Sequence, residues 1–580
     1  MPPKKKLHPA IDPNSSFTPE NFEKELKALA SKAKDETWFK AFKEQTSPFV
    51  KPLVLLTLIA AYANVSQLAL SPVYGSIPSS IWHSKVVMTA CFAGWSSNLI
   101  MNRYLPLKPL YLLPVIALYI PMVQFYLFKL SDVLSASWGP LVTEVLTLFP
   151  LIVISVACTA TSLEGADFSR LPKWLGDAMP GLGSWGFYLL AEKYSGQYVA
   201  SSMGKNIFQT RMGLEVILGA CYALLAPSKL LLYAIPALLH TAVFNTHVAS
   251  PMALQALNNG IASEGWTVLD RRESLTGYIS VLENHAQAFR VMRCDHSLLG
   301  GEWINFKDGD VAEPVYGVFV MLEAVRLVEV PQRVKDSDAK ALVIGLGIGT
   351  TPAALVAHGI DTTVVEIDPV VYDFASRYFR LPANHTPVIE DAISYTDRLV
   401  NQTDGRRFDY VVHDVFTGGA EPVPLFTLEF FENLSALLKP NGVVAINYAG
   451  DFTLPPPAMV IRTIRQVFPS CRVFRENARD EDAVEKEGRD FTNMVIFCTK
   501  QQSKLTFRNP VEGDMLKTHS RKAYLMPKHE VLDEDFIGVE NASIIRRNDT
   551  QELVKHHEKS ALGHWSVMRF VLPAKIWESW

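Results

Sequence analysis

Residues 341–369 read ALVIGLGIGTTPAALVAHGIDTTVVEIDP, and this stretch decides the fold of the second half of the chain. An apolar strand of the parallel-sheet kind runs into Gly345, Gly347 and Gly349, an Ala- and Val-rich helix follows, and a second strand ends in Glu366. Glycines there let backbone amides approach a ligand at the positive end of the helix. An acidic residue about 20 positions further on suits the two ribose hydroxyls. The order predicts a Rossmann-like domain that binds a nucleotide cofactor through these four residues.

The alternation of strands and helices continues toward the C-terminus. A third strand ends in Asp391, placed to reach an adenine amino group, and a fourth ends in Asp414. Because ligands of open α/β sheets bind outside the carboxyl ends of the strands, Asp414 is expected to face the cofactor. The strands are predicted at 387–391, 408–414 and 443–447, followed by an antiparallel pair at 470–475 and 492–499 with a charged loop between them.

Smaller predicted units flank this domain. Residues 265–335 are expected to form a small unit of antiparallel strands, with a helix at 315–330, before the Rossmann-like domain at 336–502. Residues 503–580 are a C-terminal extension. Within it, 564–572 is predicted as a strand that completes a sheet or forms a contact between copies of the chain, and the sequence leaves both open.

The N-terminal half has a different composition. The chain is 48% hydrophobic, and the excess of apolar residues lies between Phe49 and Phe244. Runs that approach or reach the ~20 residues needed to span a bilayer predict a transmembrane domain at 49–247 with about six helices. Counts of seven or eight stay open, because 181–191 is a weaker candidate, interrupted by Glu192 and Lys193. The predicted spans are 52–70, 86–100, 109–130, 141–163, 212–226 and 230–244.

Basic residues predict the orientation of these helices. Basic residues mark the N-terminal start and alternate loops, which carry Arg103 with Lys108 and Arg170 with Lys173. The positive-inside rule places these segments in the cytosol. Residues 1–48 are therefore expected to be a cytosolic amphipathic segment, and six crossings return the C-terminal domain to the cytosol. The sequence thus predicts an integral membrane protein in contact with lipid. Glycosylation sequons at 384, 401, 433, 541 and 548 are discounted on this topology.

Charge and cysteine content exclude other classes of protein. The formal net charge of −4 provides no general basic field for nucleic acid. The six cysteines are scattered without a CxxC pair, which predicts neither a disulfide framework nor a metal site, but buried thiols in a reducing compartment.

Across residues 272–500 the sequence resembles the spermidine/spermine synthase family of polyamine aminopropyltransferases. The resemblance rests on the strand unit, the 313–316 segment Glu-Pro-Val-Tyr, the glycine loop, the Val-Glu-Ile-Asp and Glu-Asp-Ala segments, and Asp414 followed by Pro-Leu-Phe. It implies a methyltransferase-like Rossmann fold that binds decarboxylated S-adenosylmethionine and a polyamine. It also implies that Gly345, Gly347, Glu366 and Asp391 bind the cofactor, that Asp414 holds and deprotonates the amine, and that Tyr316 shapes the amine site.

The sequence departs from this family where the transferred group and the amine would bind. Ile348 stands where the family usually carries an aspartate that holds the aminopropyl amine, and after Asp414 only Glu421 is left to replace a second aspartate. Three hypotheses follow: an aminopropyltransferase-like enzyme as the leading one, a methyltransferase using intact S-adenosylmethionine, and a non-catalytic module that senses nucleotide or organises a membrane complex.

Overall fold

The computed structural model describes residues 19–166, 168, 172–402, 405–415 and 418–580. It begins with ten α-helices, of which the first nine form a bundle and the tenth packs on the sheet that follows. The predicted segment 1–48 lies partly outside the described residues; from Pro19 onward its backbone belongs to the first helix. The helices are α1 (Pro19–Tyr74), α2 (Ser76–Ile81), α3 (His83–Tyr104), α4 (Leu113–Phe128), α5 (Ser131–Leu146), α6 (Leu148–Leu163), α7 (Lys173–Ser202), α8 (Arg211–Leu225), α9 (Ile235–Val243) and α10 (Pro251–Ile261).

Close approach of backbones holds the helical bundle together. A Cβ atom at Gly94 of α3 would lie 2.4 Å from the carbonyl oxygen of Val153 in α6, so only glycine allows this contact. The hydroxyl of Tyr62 in α1 donates to the carbonyl of Ala117 in α4. Among the described residues, three helical stretches are long and apolar enough to cross a membrane: 48–74, 109–128 and 131–163. The number of crossings stays a prediction.

A five-stranded antiparallel sheet follows the bundle, with its strands in sequence order. The sequence predicts its second and third strands, but β1 is missed because it carries Asp270, Arg271 and Arg272 in a row. The guanidinium of Arg271 donates to the carbonyls of Thr246 and Val248, so this charged side chain binds the segment that follows the bundle. The strands are β1 (Trp266–Glu273), β2 (Tyr278–Asn284), β3 (Phe289–Cys294), β4 (Ser297–Trp303) and β5 (Glu313–Pro314).

The second sheet has eight strands in the order β13-β11-β12-β10-β9-β6-β7-β8, and its part from β10 to β8 is parallel. The predicted Rossmann-like fold is confirmed. The strands are β6 (Lys340–Ile344), β7 (Asp361–Glu366), β8 (Thr386–Ile389), β9 (Phe408–His413), β10 (Leu438–Asp451), β11 (Ser470–Arg475), β12 (Phe491–Thr499) and β13 (His529–Val531).

Helices cover both faces of this sheet. Ala341 and Val343 of β6 pack into one hydrophobic core, and Leu342 and Ile344 pack into another on the opposite face. A strand buried on both faces needs apolar residues at every position, which is why the run at 341–344 is continuous. The helices are α11 (Gly317–Leu322), α12 (Thr350–Ala357), α13 (Pro369–Tyr378), α14 (Ala392–Val400), α15 (Leu428–Leu437), α16 (Pro456–Val467), α17 (Glu481–Glu487), α18 (His519–Tyr524), α19 (Gln551–Val571) and α20 (Ala574–Glu578).

Four local predictions differ from the structure. The strand expected at 564–572 is wrong, because these residues belong largely to helix α19, which buries Leu553, Ala561 and Trp565 at helical spacing. The helix expected at 315–330 is shorter: α11 is followed by a 3-10 turn over Glu323–Arg326. The charged loop between β11 and β12 contains α17.

The fourth difference concerns the cysteines. Cys471 of β11 and Cys498 of β12 lie opposite each other and are joined by a disulfide bond, so the thiol interpretation is wrong for this pair.

Candidate active site

The glycine loop after β6 is built so closely that it excludes side chains. Gly345 has a φ of +86°, and a Cβ atom there would lie 2.0 Å from the carbonyl oxygen of Asp414. Gly347 has a φ of +54°, and its Cβ would lie 2.6 Å from the carbonyl oxygen of Leu299. Gly349, also at positive φ, caps the N-terminus of α12. The loop thus brings backbone without side chains to the positive end of a helix, which suits the polar groups of a nucleotide-type ligand.

Glu366 joins the second strand to this loop. Its two carboxylate oxygens accept hydrogen bonds from the backbone N–H groups of Leu346 at 3.0 Å and Asp368 at 2.9 Å. The side chain is 8% exposed, and burial raises the pKa of Glu366 to about 7 although the backbone donors oppose the shift. A buried carboxylate held beside the glycine loop is placed as a ribose-binding acid requires.

The third strand brings Asp391 to the same edge of the sheet. Asp391 caps α14 and accepts hydrogen bonds from the N–H and the hydroxyl of Ser394, both at 2.9 Å. Ile367 and Ile389 lie next to the carboxyl ends of β7 and β8 and are 41% and 45% exposed. The sequence interpretation missed these two residues. The sequence feature that could have identified them is an isoleucine at the end of a strand, where a solvated loop would carry a polar residue.

Asp414 lies at the carboxyl end of β9, directly beside the glycine loop. Its N–H donates to the carbonyl of Ile344 at 2.8 Å, and its Oδ1 accepts a hydrogen bond from Asn447 at 2.8 Å. Burial raises the pKa of Asp414 to about 6, and the amide of Asn447 opposes the shift. Asn447 was also missed from the sequence, although a polar residue inside the apolar strand β10 is a usable signal.

The two residues expected to contact the amine have other partners. Glu421 accepts a hydrogen bond from the hydroxyl of Tyr448, and its second oxygen lies 3.0 Å from Nε2 of His557 in α19. Tyr316 precedes α11, and burial and the charge of Glu476 raise its pKa. The structure therefore brings the glycine loop, Glu366 and Asp414 together, and ties Glu421 to the C-terminal extension.

Ile348 lies in the glycine loop with its side chain directed into the protein core. It is 4% exposed and belongs to the hydrophobic core, where its side chain lies against Gly300 of β4. The departure noted in the sequence is thus part of a packed apolar contact between the two sheets.

Comparison with known proteins agrees with this architecture. The model of the spermine/spermidine synthase domain matches residues 322–476. An N-terminal histidine N-methyltransferase of Emericella nidulans is 47% identical over 554 residues, which cover 93% of this chain and 98% of that protein. The chain belongs to the family of this N-terminal histidine N-methyltransferase.

Two other matches each cover less than half of this chain. A polyamine aminopropyltransferase of Vibrio vulnificus is 36% identical over 19% of this chain and 37% of that protein. The crystal structure of a probable spermidine synthase from Corynebacterium glutamicum covers 46% of this chain and 97% of its own, with 17% identity and a TM-score of 0.35. For a member of the N-terminal histidine N-methyltransferase family, methyl transfer is better supported than the leading aminopropyl hypothesis, and S-adenosylmethionine is better supported than its decarboxylated form.

Proposed function

We propose that this protein is an S-adenosylmethionine-dependent methyltransferase that methylates a histidine at the N-terminus of a protein chain. The observation that carries the proposal is the 47% identity to an N-terminal histidine N-methyltransferase over 98% of that relative. Identity of this extent spans the helical bundle as well as the sheet domain. The match to a polyamine aminopropyltransferase of Vibrio vulnificus covers 19% of this chain.

The packing of Ile348 independently favours methyl transfer over aminopropyl transfer. An aminopropyl donor carries a free ammonium group, which needs a carboxylate or another acceptor close to the glycine loop. At position 348 the chain offers a buried isoleucine inside a hydrophobic core. A protonated amine next to this side chain would lose hydration without gaining a partner. Intact S-adenosylmethionine has the same amine but carries a carboxylate beside it, which offsets the charge, so Ile348 disfavours the decarboxylated donor more than the intact one.

The residues of the site divide into cofactor-binding and catalytic roles. The cofactor would lie against the backbone of Gly345, Gly347 and Gly349, where no side chain intervenes. Glu366 would bind its ribose, and Asp391 would bind the edge of its adenine. When bound, S-adenosylmethionine supplies a methyl group on a positively charged sulfur. The acceptor nitrogen forms the new N–C bond as the C–S bond breaks, the bonding electrons stay on sulfur, and the nitrogen gives up one proton.

Asp414 is the residue proposed to take that proton. Its carboxylate lies next to the glycine loop, and a pKa of about 6 leaves it ionised at neutral pH yet basic enough to accept a proton. Asn447 orients one of its oxygens, which leaves the other for the substrate. Tyr316 and Glu421 are proposed to shape the substrate side of the site, Glu421 through its contacts with Tyr448 and His557.

The helical bundle is proposed to lie in a lipid bilayer. Large apolar side chains project outward from it, among them Phe92 (75% exposed), Leu224 (82%) and Leu182 (67%). Exposed apolar area of this kind is unfavourable in water and favourable in hydrocarbon. The three long apolar stretches support the same proposal.

The test uses the full-length protein in detergent, with S-adenosylmethionine and a peptide that begins with histidine. We expect the mass of one methyl group on that peptide and none on a matched peptide that begins with alanine. Decarboxylated S-adenosylmethionine with putrescine or spermidine is the comparison. Aminopropyl transfer to the amine, without methylation of the peptide, would overturn the proposal.

Two variants show whether the cofactor binds beside the glycine loop. Glu366→Ala is expected to abolish cofactor binding in calorimetry, because it removes the carboxylate beside the glycine loop. Glu432→Ala, an exposed carboxylate on α15, is the matched control and should bind as the unaltered protein does. Equal binding by both variants would mean that the cofactor lies elsewhere.

A further inference from the structure

The disulfide between Cys471 and Cys498 indicates the chemistry of the surrounding compartment. The two residues face each other across β11 and β12 with their Cα atoms 4.2 Å apart, and they are 27 positions apart in the sequence of the sheet domain. Disulfides form and persist on the oxidising side of membranes and are rare in the cytosol. Their position is therefore at odds with a cytosolic sheet domain.

The glycosylation sequons point in the same direction. Asn384, Asn541 and Asn548 each begin an Asn-x-Ser/Thr triplet, and all three are exposed at the surface of the sheet domain. Asn401 and Asn433 are different, because the amide of each donates to Asp397, from the end of α14 and from within α15. Exposed triplets of this kind are acceptors for N-linked glycans in chains that enter the secretory pathway.

The path of the helices decides on which side of a membrane the sheet domain would lie. One end of the bundle contacts the sheet domain, through Arg293 bonded to the carbonyl of Pro72 in α1 and through Asp132 of α5 paired with Arg569. The opposite end is marked by the bond from Asn102 of α3 to Thr161 of α6.

Five helices run between these two ends: α1, α3, α4, α6 and α7. Helix α1 starts at the far end, and α7 finishes at the domain end, where Gly204 lies against Glu273. Helices α8 and α9 form a hairpin that leaves the domain end at Arg211 and returns to it, so they do not change the side. Helix α5 stays at the domain end, where Glu144 contacts His83.

An odd number of traverses places residues 19–47 and the sheet domain on opposite sides. The prediction of six crossings omitted α7, whose Glu192 and Lys193 interrupt its apolar run. With α7 included, the charge rule that predicted a cytosolic sheet domain gives the opposite result. The far end carries Arg103, Lys108 and Lys173, and it follows a segment with lysines at 24, 27, 32, 34, 40, 43 and 51. The domain end carries Lys85, Lys129 and Lys205, and Arg211 there is paired with Glu273 and Asp295, so the excess of basic residues at the far end comes from the lysine-rich segment.

We infer that the sheet domain lies on the non-cytosolic side of the membrane and carries N-linked glycans at Asn384, Asn541 and Asn548. The inference rests on the membrane insertion proposed above. In each glycan transfer, the asparagine amide nitrogen bonds to the anomeric carbon of a lipid-linked oligosaccharide. The lipid diphosphate leaves with the bonding electrons, and the amide loses one proton. The two cysteines pass two electrons and two protons to a disulfide-bearing oxidant of the same compartment.

This orientation agrees with the proposed substrate. Translation starts with methionine, so a histidine N-terminus arises only after a protease has removed a leader. Secretory leader peptides are removed from chains entering the same compartment. The reaction that supplies the substrate is therefore a leader cleavage, and S-adenosylmethionine must reach the same side.

The experiment expresses the full chain in a eukaryotic cell and prepares sealed microsomes with the cytosolic face outward. We expect three steps of increased mobility on treatment with a peptide N-glycosidase, one lost with each of Asn384→Gln, Asn541→Gln and Asn548→Gln. Asn509→Gln, an exposed asparagine outside any sequon, is the matched control and should keep all three steps. No change in mobility would overturn the assignment of glycans.

Protease treatment of the same vesicles tests the orientation itself. The sheet domain should be protected until detergent is added, and digestion in sealed vesicles would overturn the inference. Extraction at alkaline pH separates this failure from that of membrane insertion, because a chain released by alkali is not an integral membrane protein. Methyl transfer by the purified protein is measured separately and is unaffected by either outcome.

Discussion

Asp414 combines two features at the scale of a single residue: it lies half-buried beside the glycine loop, and only Asn447 is seen to hydrogen-bond its carboxylate among the described residues. If it is the catalytic base, Asp414→Asn should lower kcat by about 10²- to 10⁴-fold, the usual contribution of a general base. Cofactor binding and the melting temperature should change little, because the amide keeps the size of the side chain. Single-turnover methyl transfer and calorimetry measure the two quantities.

The pH dependence follows from the same carboxylate. The base acts in its ionised form, so kcat should rise with pH through the pKa of about 6 and then level off. Asn447→Ala removes the donor that favours the ionised form, so the pKa should rise and the acidic limb should move to higher pH. An acidic limb that stays in place in Asn447→Ala, or that persists in Asp414→Asn, would rule out Asp414 as the titrating group.

Gly345 tests the shape of the cofactor loop, and Gly359 provides a matched control. Both have a φ near +85° (86° and 82°), but a Cβ at Gly345 would lie 2.0 Å from the carbonyl oxygen of Asp414, whereas Gly359 has nothing within 4 Å. Gly359→Ala should cost only the strain of a left-handed alanine, about 1 to 2 kcal/mol. Gly345→Ala should cost more and abolish cofactor binding. Equal effects of the two variants in thermal unfolding and calorimetry would contradict this account of the loop.

At the scale of elements, helix α19 fixes the loop that follows Asp414. Ser560 donates to the carbonyl of Gly419, and a Cβ at Gly419 would lie 2.5 Å from Cβ of His564. Gly418 also has positive φ but has nothing within 4 Å. Gly419→Ala should therefore push the loop away from α19 and reduce kcat at least tenfold, whereas Gly418→Ala should keep most of the activity. Steady-state methyl transfer checks this, and a more severe loss in Gly418→Ala would contradict it.

The elements also show what the sequence could and could not predict. The sequence predicted the succession of strands along the chain, the glycine loop, Glu366 and Asp414. A strand buried on both faces leaves a continuous apolar run in the sequence, and the candidate site residue stands at its end. Residues 564–572, which lie largely in α19, were taken for a strand because the partners of this helix, among them Gly419 and Val73, are distant in the sequence. The Cys471–Cys498 pair was missed because facing positions are known only once the register of β11 and β12 is known.

At the scale of the whole molecule, the helical bundle and the sheet domain share a buried network of charges. The guanidinium of Arg211 pairs with Glu273 and Asp295, each at 3.2 Å, and donates to the carbonyl of Leu68 in α1. Asp295 also accepts the N–H of Tyr278, which starts β2. Arg211 is 2% exposed, so its partners have little access to water.

This network leads to a prediction about how the two parts are held together. Arg211→Ala should lower the free energy of unfolding by about 3 to 5 kcal/mol, because it leaves two buried carboxylates without a cation. Arg272→Ala is the control: Arg272 pairs with Asp373 at 2.9 Å, but with 47% of its side chain exposed the pair is screened by water, and the loss should stay below about 1 kcal/mol. Thermal unfolding in detergent compares the two. When Glu273→Gln and Asp295→Asn are added to Arg211→Ala, part of the lost stability should be recovered, because the uncompensated charges are removed. If no stability is recovered, Arg211 stabilises the junction by packing alone.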